Sequence, residues 1–439
     1  MPRGVVGLAF QVDHGLHACH AGMMGKMVTD RSLQSSPRIF YGWFVVAGAF
    51  AVTFVGFGSA YTFSAFIASL QRDFAASRGS VSLVFSVAGF LYFALGLVSG
   101  PLADRFGARL LAVAGMILTG LGLAVASLAR SLPEVYAAYG LGVGLGIGFS
   151  YVPILGAVQR WFVRRRGLAS GLAVSGIGVG TLVMPPAAAL LIDAMGWRGA
   201  YLVLGIFAAI VGGGMALLVE DDPRRRGTGT DGDPPLLDAQ PPHPAATGVR
   251  DALRSRRFIG LCAASLLGSF GVFVPFVHLV PYAIDHGIPQ SSAVLLMAAI
   301  GIGSTSGRFF LGGLADRLGR ALSLVVMVVG MALAFLVWAM SASFWPLAAF
   351  AFAFGLFYGG WVALVPAVVA DYFGARNLGT LIGVISMCIA FGTLIGPSAA
   401  GFAFDLSHSY TLPIVASIVA YVIAAVILAR APRPHAPAL

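Results

Sequence analysis

Twelve long, uninterrupted apolar runs decide what this chain can fold into. They lie at about 40–68, 80–102, 110–129, 135–158, 168–192, 199–219, 257–284, 290–315, 321–340, 344–370, 378–404 and 409–430. Most approach or exceed the roughly 20 residues that carry a helix across a bilayer. None alternates apolar with polar residues as the strands of a membrane barrel do. Composition agrees: 58% of the 439 residues are hydrophobic and 10% are charged, against about 45–50% and about 25% in soluble domains. This excludes an ordinary cytosolic enzyme, a disordered protein and a nucleic-acid binder. The chain reads as an all-α polytopic membrane protein.

Between the sixth and seventh runs, residues 220–256 are rich in Pro, Gly, Asp and Arg and include Asp233-Pro234-Pro235 and Pro241-Pro242. Such a segment cannot bury a core and is expected to be a flexible linker. It separates a bundle at 40–219 from a second at 257–430. Residues 1–39 form a leader expected to be disordered, and 431–439 a short tail. The two halves repeat. Gly100-Pro101-Leu102-Ala103-Asp104-Arg105-Phe106-Gly107 returns as Gly312-Gly313-Leu314-Ala315-Asp316-Arg317-Leu318-Gly319, and Trp161-Phe162 returns as Tyr372-Phe373 at the same separation to within one residue. Two matches at one offset imply an internal duplication, hence twelve helices in two pseudo-symmetric bundles of six. Many transporters use such repeats to place a substrate site near the bilayer midplane.

The net charge of +10 reports topology. Arg72, Arg78, Arg130 and Arg198 lie at the span ends opposite the linker, Arg308 lies inside a span, and every other of the 27 cations falls on the linker side. Lys and Arg stay on the cytoplasmic side, so the linker and both termini are expected in the cytoplasm, with the chain in the cell membrane. Cys19, Cys262 and Cys388 offer no paired framework and no CxxC site. The glycine-rich Gly140 to Gly148 and Gly176 to Gly180 lack the Lys-Ser/Thr of a phosphate loop and read as close helix packing.

The duplicated Gly-x-Leu-Ala-Asp-Arg-x-Gly motif and the six-plus-six layout resemble the major facilitator superfamily over about residues 40–430. More narrowly, Arg160 to Ala173 is similar to the fifth-span signature of the monocarboxylate transporter family. Gly42-Trp43 keeps half of its first-span signature, and His278 to Asp285 looks like span seven of its bacterial members. The resemblance implies the family's substrate-binding arginine at Arg308. It also implies a conformational role for Asp104, Arg105, Arg109, Asp316, Arg317 and Arg320, as charges that hold the halves together when the cavity faces outward. Where human-type members carry a Lys in span one and an Asp in span eight, ungapped alignment places Tyr61 and Ser304. The span-eleven Lys of the related oxalate/formate exchangers is absent from Leu378 to Phe404.

Arg308 stands eight residues before Asp316, roughly 12 Å of helix rise inside the membrane. An Arg there costs about 2.5–3.5 kcal/mol on the mildest scale and demands a partner or a wet cavity. No Asp or Glu lies in the interior of any span, so Arg308 is either a structural residue bonded to backbone carbonyls or the partner of a substrate carboxylate, gripped by two guanidinium N–H groups. His278 is either a helix-to-helix hydrogen bond or a substrate donor and proton relay. Asp285 is either a solvated loop-end acid or, if Pro275 and Pro281 aim it inward, the carrier of a coupling proton. Tyr61, Tyr151 and Tyr358 lie on spans expected to line the cavity and could bond the acid's oxygens.

These residues predict a secondary transporter of small, lactate- or pyruvate-like monocarboxylates working by alternating access. It is expected to act with a co-transported proton, as a monomer, without cofactor or metal. An organic-anion exchanger or efflux transporter of the same fold stays open, as does a non-transporting membrane receptor for a carboxylate. An enzyme is not expected, since no intramembrane carboxylate pair, HExxH, GxSxG or His/Cys cluster occurs.

Overall fold

The computed structural model of the chain describes residues 40–233, 248–374 and 378–430, the side chains of 312–314 and 316–318 excepted. The leader, the tail, Arg376 and the side chains of Asp316 and Arg317 lie outside the described residues. All regular structure among those described is helical. The apolar runs become helix because a backbone in hydrocarbon must satisfy every N–H and C=O within its own segment.

Helix α1 is Gly42–Phe74, with a joint at Thr62. Helix α2 is Arg78–Ala94 continued, after a 50° bend, by Gly96–Phe106. Helices α3 (Ala108–Ala126) and α4 (Leu132–Trp161) follow. Arg166–Ala216 is one apolar stretch broken at Gly196, whose φ of 72° and ψ of 170° are not helical. Its legs, 166–195 and 197–216, are α5 and α6. After the linker come α7 (Arg256–Asp285), α8 (Leu295–Leu318), α9 (Arg320–Ala339), α10 (Phe344–Phe373), α11 (Leu378–Ser407) and α12 (Thr411–Arg430). Counted whole, ten helices among the described residues are long and apolar enough to cross a membrane, and eleven with the bent pair. The break at Gly196 accounts for the twelfth run.

The molecule has two ends: a tail end, carrying Phe40, the linker and Arg430, and a far end. Its outer wall is apolar, with Leu128, Leu190, Ile210 and Phe310 each about 70% exposed, as lipid-facing side chains must be. The halves meet where α2 lies along α11 and α5 crosses α8. Small residues permit the second crossing: a Cβ on Gly301 would fall on the backbone of Gly178 and Leu182. The duplicated motif ends in the same turn twice, Gly107 at φ 90°, ψ 143° and Gly319 at φ 86°, ψ 128°. Only glycine takes such values cheaply.

The expected flexible linker is corrected over its first part. Residues 220–233 dock on the first half through side chains. Trp161 Nε1 donates to the Glu220 carbonyl at 2.6 Å, and Asp221 accepts from Ala108 N at 3.0 Å and from Arg160 at 2.6 Å. Asp231 accepts from the backbone N–H groups of Val163, Arg164 and Arg165. A segment too polar to build a core can still be held by the unpaired N–H groups where a helix begins.

Candidate functional site

Arg308 lies in the middle of α8 and is 6% exposed. One turn earlier, Ser304 accepts from its Nη1, through Oγ at 2.6 Å and the carbonyl at 3.3 Å. Nε and Nη2 find no partner in the protein. These two nitrogens share one edge of the guanidinium, the edge that fits two carboxylate oxygens at once. No described acid pairs with Arg308. Its titratable neighbours are Tyr358, Tyr151 and Tyr61.

Those three tyrosines come from α10, α4 and α1, so the structure brings together the arginine and the hydroxyls expected to accompany it. The Tyr61 and Tyr358 hydroxyls stand 3.5 Å apart across the seam. Phe276 of α7 stacks on Tyr61 at 4.3 Å and meets Tyr358 edge-on at 5.5 Å. Phe57 joins Tyr61 and Tyr151, at 5.9 and 5.0 Å. The result is one cation in an aromatic shell, with donors on both sides of the seam. Missed from the sequence is Tyr92 of α2: its ring meets Phe57 at 5.6 Å, and its buried hydroxyl has no partner. The same signal that marked Tyr61, a lone hydroxyl in an apolar span, was there to find it.

His278 and Asp285 do not join this group. Helix α7 runs unbroken through Pro275 and Pro281 to end at Asp285, so the inward aim allowed for that acid does not occur. Asp285 binds Arg78 instead, at 2.5 and 3.2 Å. Arg78 also donates to Tyr410 at 3.0 Å and lies 4.1 Å over the Phe404 ring. His278 is wholly buried. Its Nε2 lies 2.8 Å from the Pro397 carbonyl, which makes it the donor there, and its Nδ1 accepts from the Tyr410 hydroxyl at 3.1 Å. Asp405 caps α2 by accepting from the N–H groups of Arg78 and Gly79, at 2.9 and 2.8 Å. Arg78 begins the first half's α2, and the partners of its guanidinium belong to the second half. The far end is therefore latched across the seam.

The tail-end motif makes different contacts. Asp104 pairs with Arg160 at 3.6 Å, and Arg109 binds the Val219 carbonyl and Glu220. Arg105 lies over the ring of its neighbour Phe106, and Arg320 pairs with Asp371 at 2.8 Å. Each of these pairs stays within one half. A charge holds the opposite half only when the seam at its own end is closed.

The family model of the major facilitator superfamily matches residues 48–341 and 295–439. Over 394 residues the chain is 31% identical to monocarboxylate transporter 12-B of Danio rerio, covering 84% of this chain and 83% of that protein. It is 33% identical to monocarboxylate transporter 11 of Mus musculus, with the same coverage. Among solved structures, an inward-facing, unoccupied bacterial homologue of the human lysosomal transporter Spinster superposes with a TM-score of 0.67 at 18% identity. That match covers 90% of this chain and 97% of the other, and it speaks for the fold. A carrier fold, a central cation between two halves and relatives of this kind have one meaning together: the chain is a membrane transporter, not an enzyme, and it belongs to the monocarboxylate transporter family of the major facilitator superfamily.

Proposed function

We propose that the chain carries a small monocarboxylate across the cell membrane by alternating access, with both termini and the linker in the cytoplasm. The observation that supports this most is the free Nε–Nη2 edge of buried Arg308. A carboxylate about 4 Å away, at an effective dielectric near 20, interacts by about 4 kcal/mol before its desolvation is subtracted. That gross attraction is of the same order as the roughly 2.5–3.5 kcal/mol cost of placing the cation in the membrane. One cation and no second among its neighbours suits one carboxylate. Tyr61, Tyr151 and Tyr358 orient the acid, and the halves rock about it.

A co-transported proton belongs to this reading, carried by Asp285 or His278 within the far-end latch, away from Arg308. A proton on Asp285 removes the charge that holds Arg78, so its arrival favours opening at that end. A second reading, organic-anion exchange, is favoured by the absence of any described acid beside Arg308. With nothing there to offset the guanidinium, the empty carrier would have to reorient a bare cation, whereas the loaded one is neutral.

Reconstituted vesicles separate these. Lactate added outside should acidify the interior saturably, beyond passive leak, and Arg308→Ala should abolish uptake while the protein still inserts. Saturable uptake surviving in that variant would sink the binding role. Uptake without acidification, and only into vesicles preloaded with acid, would select the exchanger.

A further inference from the structure

Cys262 of α7 and Cys388 of α11 stand 126 residues apart in the chain and belong to no sequence motif. The fold nevertheless brings them together, and their side chains share a hydrogen bond. Their meeting continues a regular row of contacts between two helices that both set out from the tail end. A Cβ on Gly396 would fall on the Phe270 carbonyl, and one on Gly392 would fall on the Leu266 carbonyl and Ser269 Oγ. One turn nearer the tail end on each helix stand Cys388 and Cys262. A disulfide needs Cα atoms roughly 4.4–6.8 Å apart, and helices whose backbones touch through glycine supply such separations.

The pair lies roughly 9 and 15 Å of helix rise inside the starts of α7 and α11. Both cysteines are half-buried. Ile259 and Phe391, three residues away on the same faces, are each about half exposed on the outer wall. An edge of the pair therefore meets hydrocarbon, where an apolar peroxide dissolves. Two thiols do not complete a tetrahedral metal centre, and no group of three metal-ligating side chains occurs among the described residues. We propose that Cys262 and Cys388 are a modification site, a dithiol that an organic hydroperoxide oxidises to a reversible disulfide between α7 and α11. One sulfur attacks the outer peroxide oxygen and the O–O bond breaks. The alkoxide takes the thiol proton and leaves as an alcohol, and the sulfur becomes a sulfenic acid. The second thiol attacks that sulfur, the S–S bond forms, and the hydroxyl leaves with the second proton as water. A lone thiol has no such exit and goes on to the irreversible acids. Both cysteines lie in the second half, so the bridge crosses no seam and leaves the halves free to rock.

The test uses the full chain carrying Cys19→Ser, in vesicles treated with cumene hydroperoxide. Thiols counted with a maleimide after denaturation should fall from two per chain to near none, and return with dithiothreitol. Peptide mapping should find α7 joined to α11 of the same chain. Dimedone, which captures sulfenic acids, should mark Cys262→Ser and Cys388→Ser at least about tenfold more than the paired protein, because only the pair resolves its sulfenic acid. Lactate uptake by the bridged protein should stay within about twofold of that of the reduced one. Unchanged thiol counts after peroxide, or equal dimedone labelling of all three proteins, overturns the dithiol. A fall of uptake to background that dithiothreitol reverses overturns the bridge's neutrality and means that α7 and α11 slide past each other during the cycle.

Discussion

The far end and the tail end of this molecule use the same kinds of side chain to different effect. At the far end, Arg78 of the first half is held by Asp285 and Tyr410 of the second, and Asp405 caps the helix that Arg78 begins. At the tail end, Arg160 turns to Asp104 and Asp221, and Arg320 to Asp371, each within its own half. Arginine–aspartate pairs thus lock one end shut and merely finish the surface of the other. What decides between the two is whether the opposite half is near, not which residues are present. If the halves rock, the two ends should exchange these roles.

The largest expected effect comes from fixing the far end. In a background with Cys19, Cys262 and Cys388 replaced by Ser, Arg78→Cys with Asp285→Cys joined by a short, cleavable bis-maleimide should lower lactate uptake to background. Cleaving the bridge should restore it. The same reagent on Arg160→Cys with Asp104→Cys should leave uptake nearly unchanged, because that pair joins nothing that moves apart. Equal inhibition at both ends would break the comparison.

A milder change weakens the latch without bridging it. Asp285→Asn keeps the shape and removes the charge facing Arg78. A charge-assisted bond is worth about 1.5–3 kcal/mol when shielded, and less for a pair partly open to solvent. A cysteine at Ser80 should then react with an impermeant maleimide faster, by up to about tenfold. Unaltered labelling would mean that Asp405 and the aromatic contacts close this end without the ion pair.

The smallest effect concerns the docked linker. Burial pushes the Asp231 carboxyl up, but the backbone N–H groups of Arg164, Val163 and Arg165 pull it down and prevail, leaving it below its ordinary range. A carboxylate depressed in the folded state stabilises that state above its unfolded pKa of about 3.9, and the benefit is lost as pH falls through the lowered value. The protection factors of the amides at 163–165, after division by the intrinsic exchange rate at each pH, should therefore be steady from neutral pH downward and fall below about pH 4. Asp231→Asn should abolish that step, and a step that persists would assign it to another group.

The polytopic helical class, its duplication and the central arginine are legible in the sequence because each rests on local chemistry. Apolar length, a repeated turn ending in Gly107 and Gly319, and one cation with no acid in its span require no knowledge of neighbours. Tyr61, Tyr151 and Tyr358 could be named as candidates, yet Tyr92 carried the same mark and was passed over, because a hydroxyl in an apolar run does not say which way it points. Asp285 and His278 depended on partners in other helices, 207 and 132 residues away in the chain. The linker's docking was hidden for the same reason: its acids bind N–H groups exposed where α3 and α5 begin.

By itself the sequence determined that this chain crosses the membrane many times as helix and that Arg308 needs a partner or a wet cavity, because hydrocarbon penalises any unpaired backbone group or charge wherever it lies. Only the tertiary structure decided which polar groups meet that need within the protein and which nitrogens of Arg308 stay unpaired. Hydrogen bonds and ion pairs act over about 3 Å, and which side chains come that close is set by how the two halves pack.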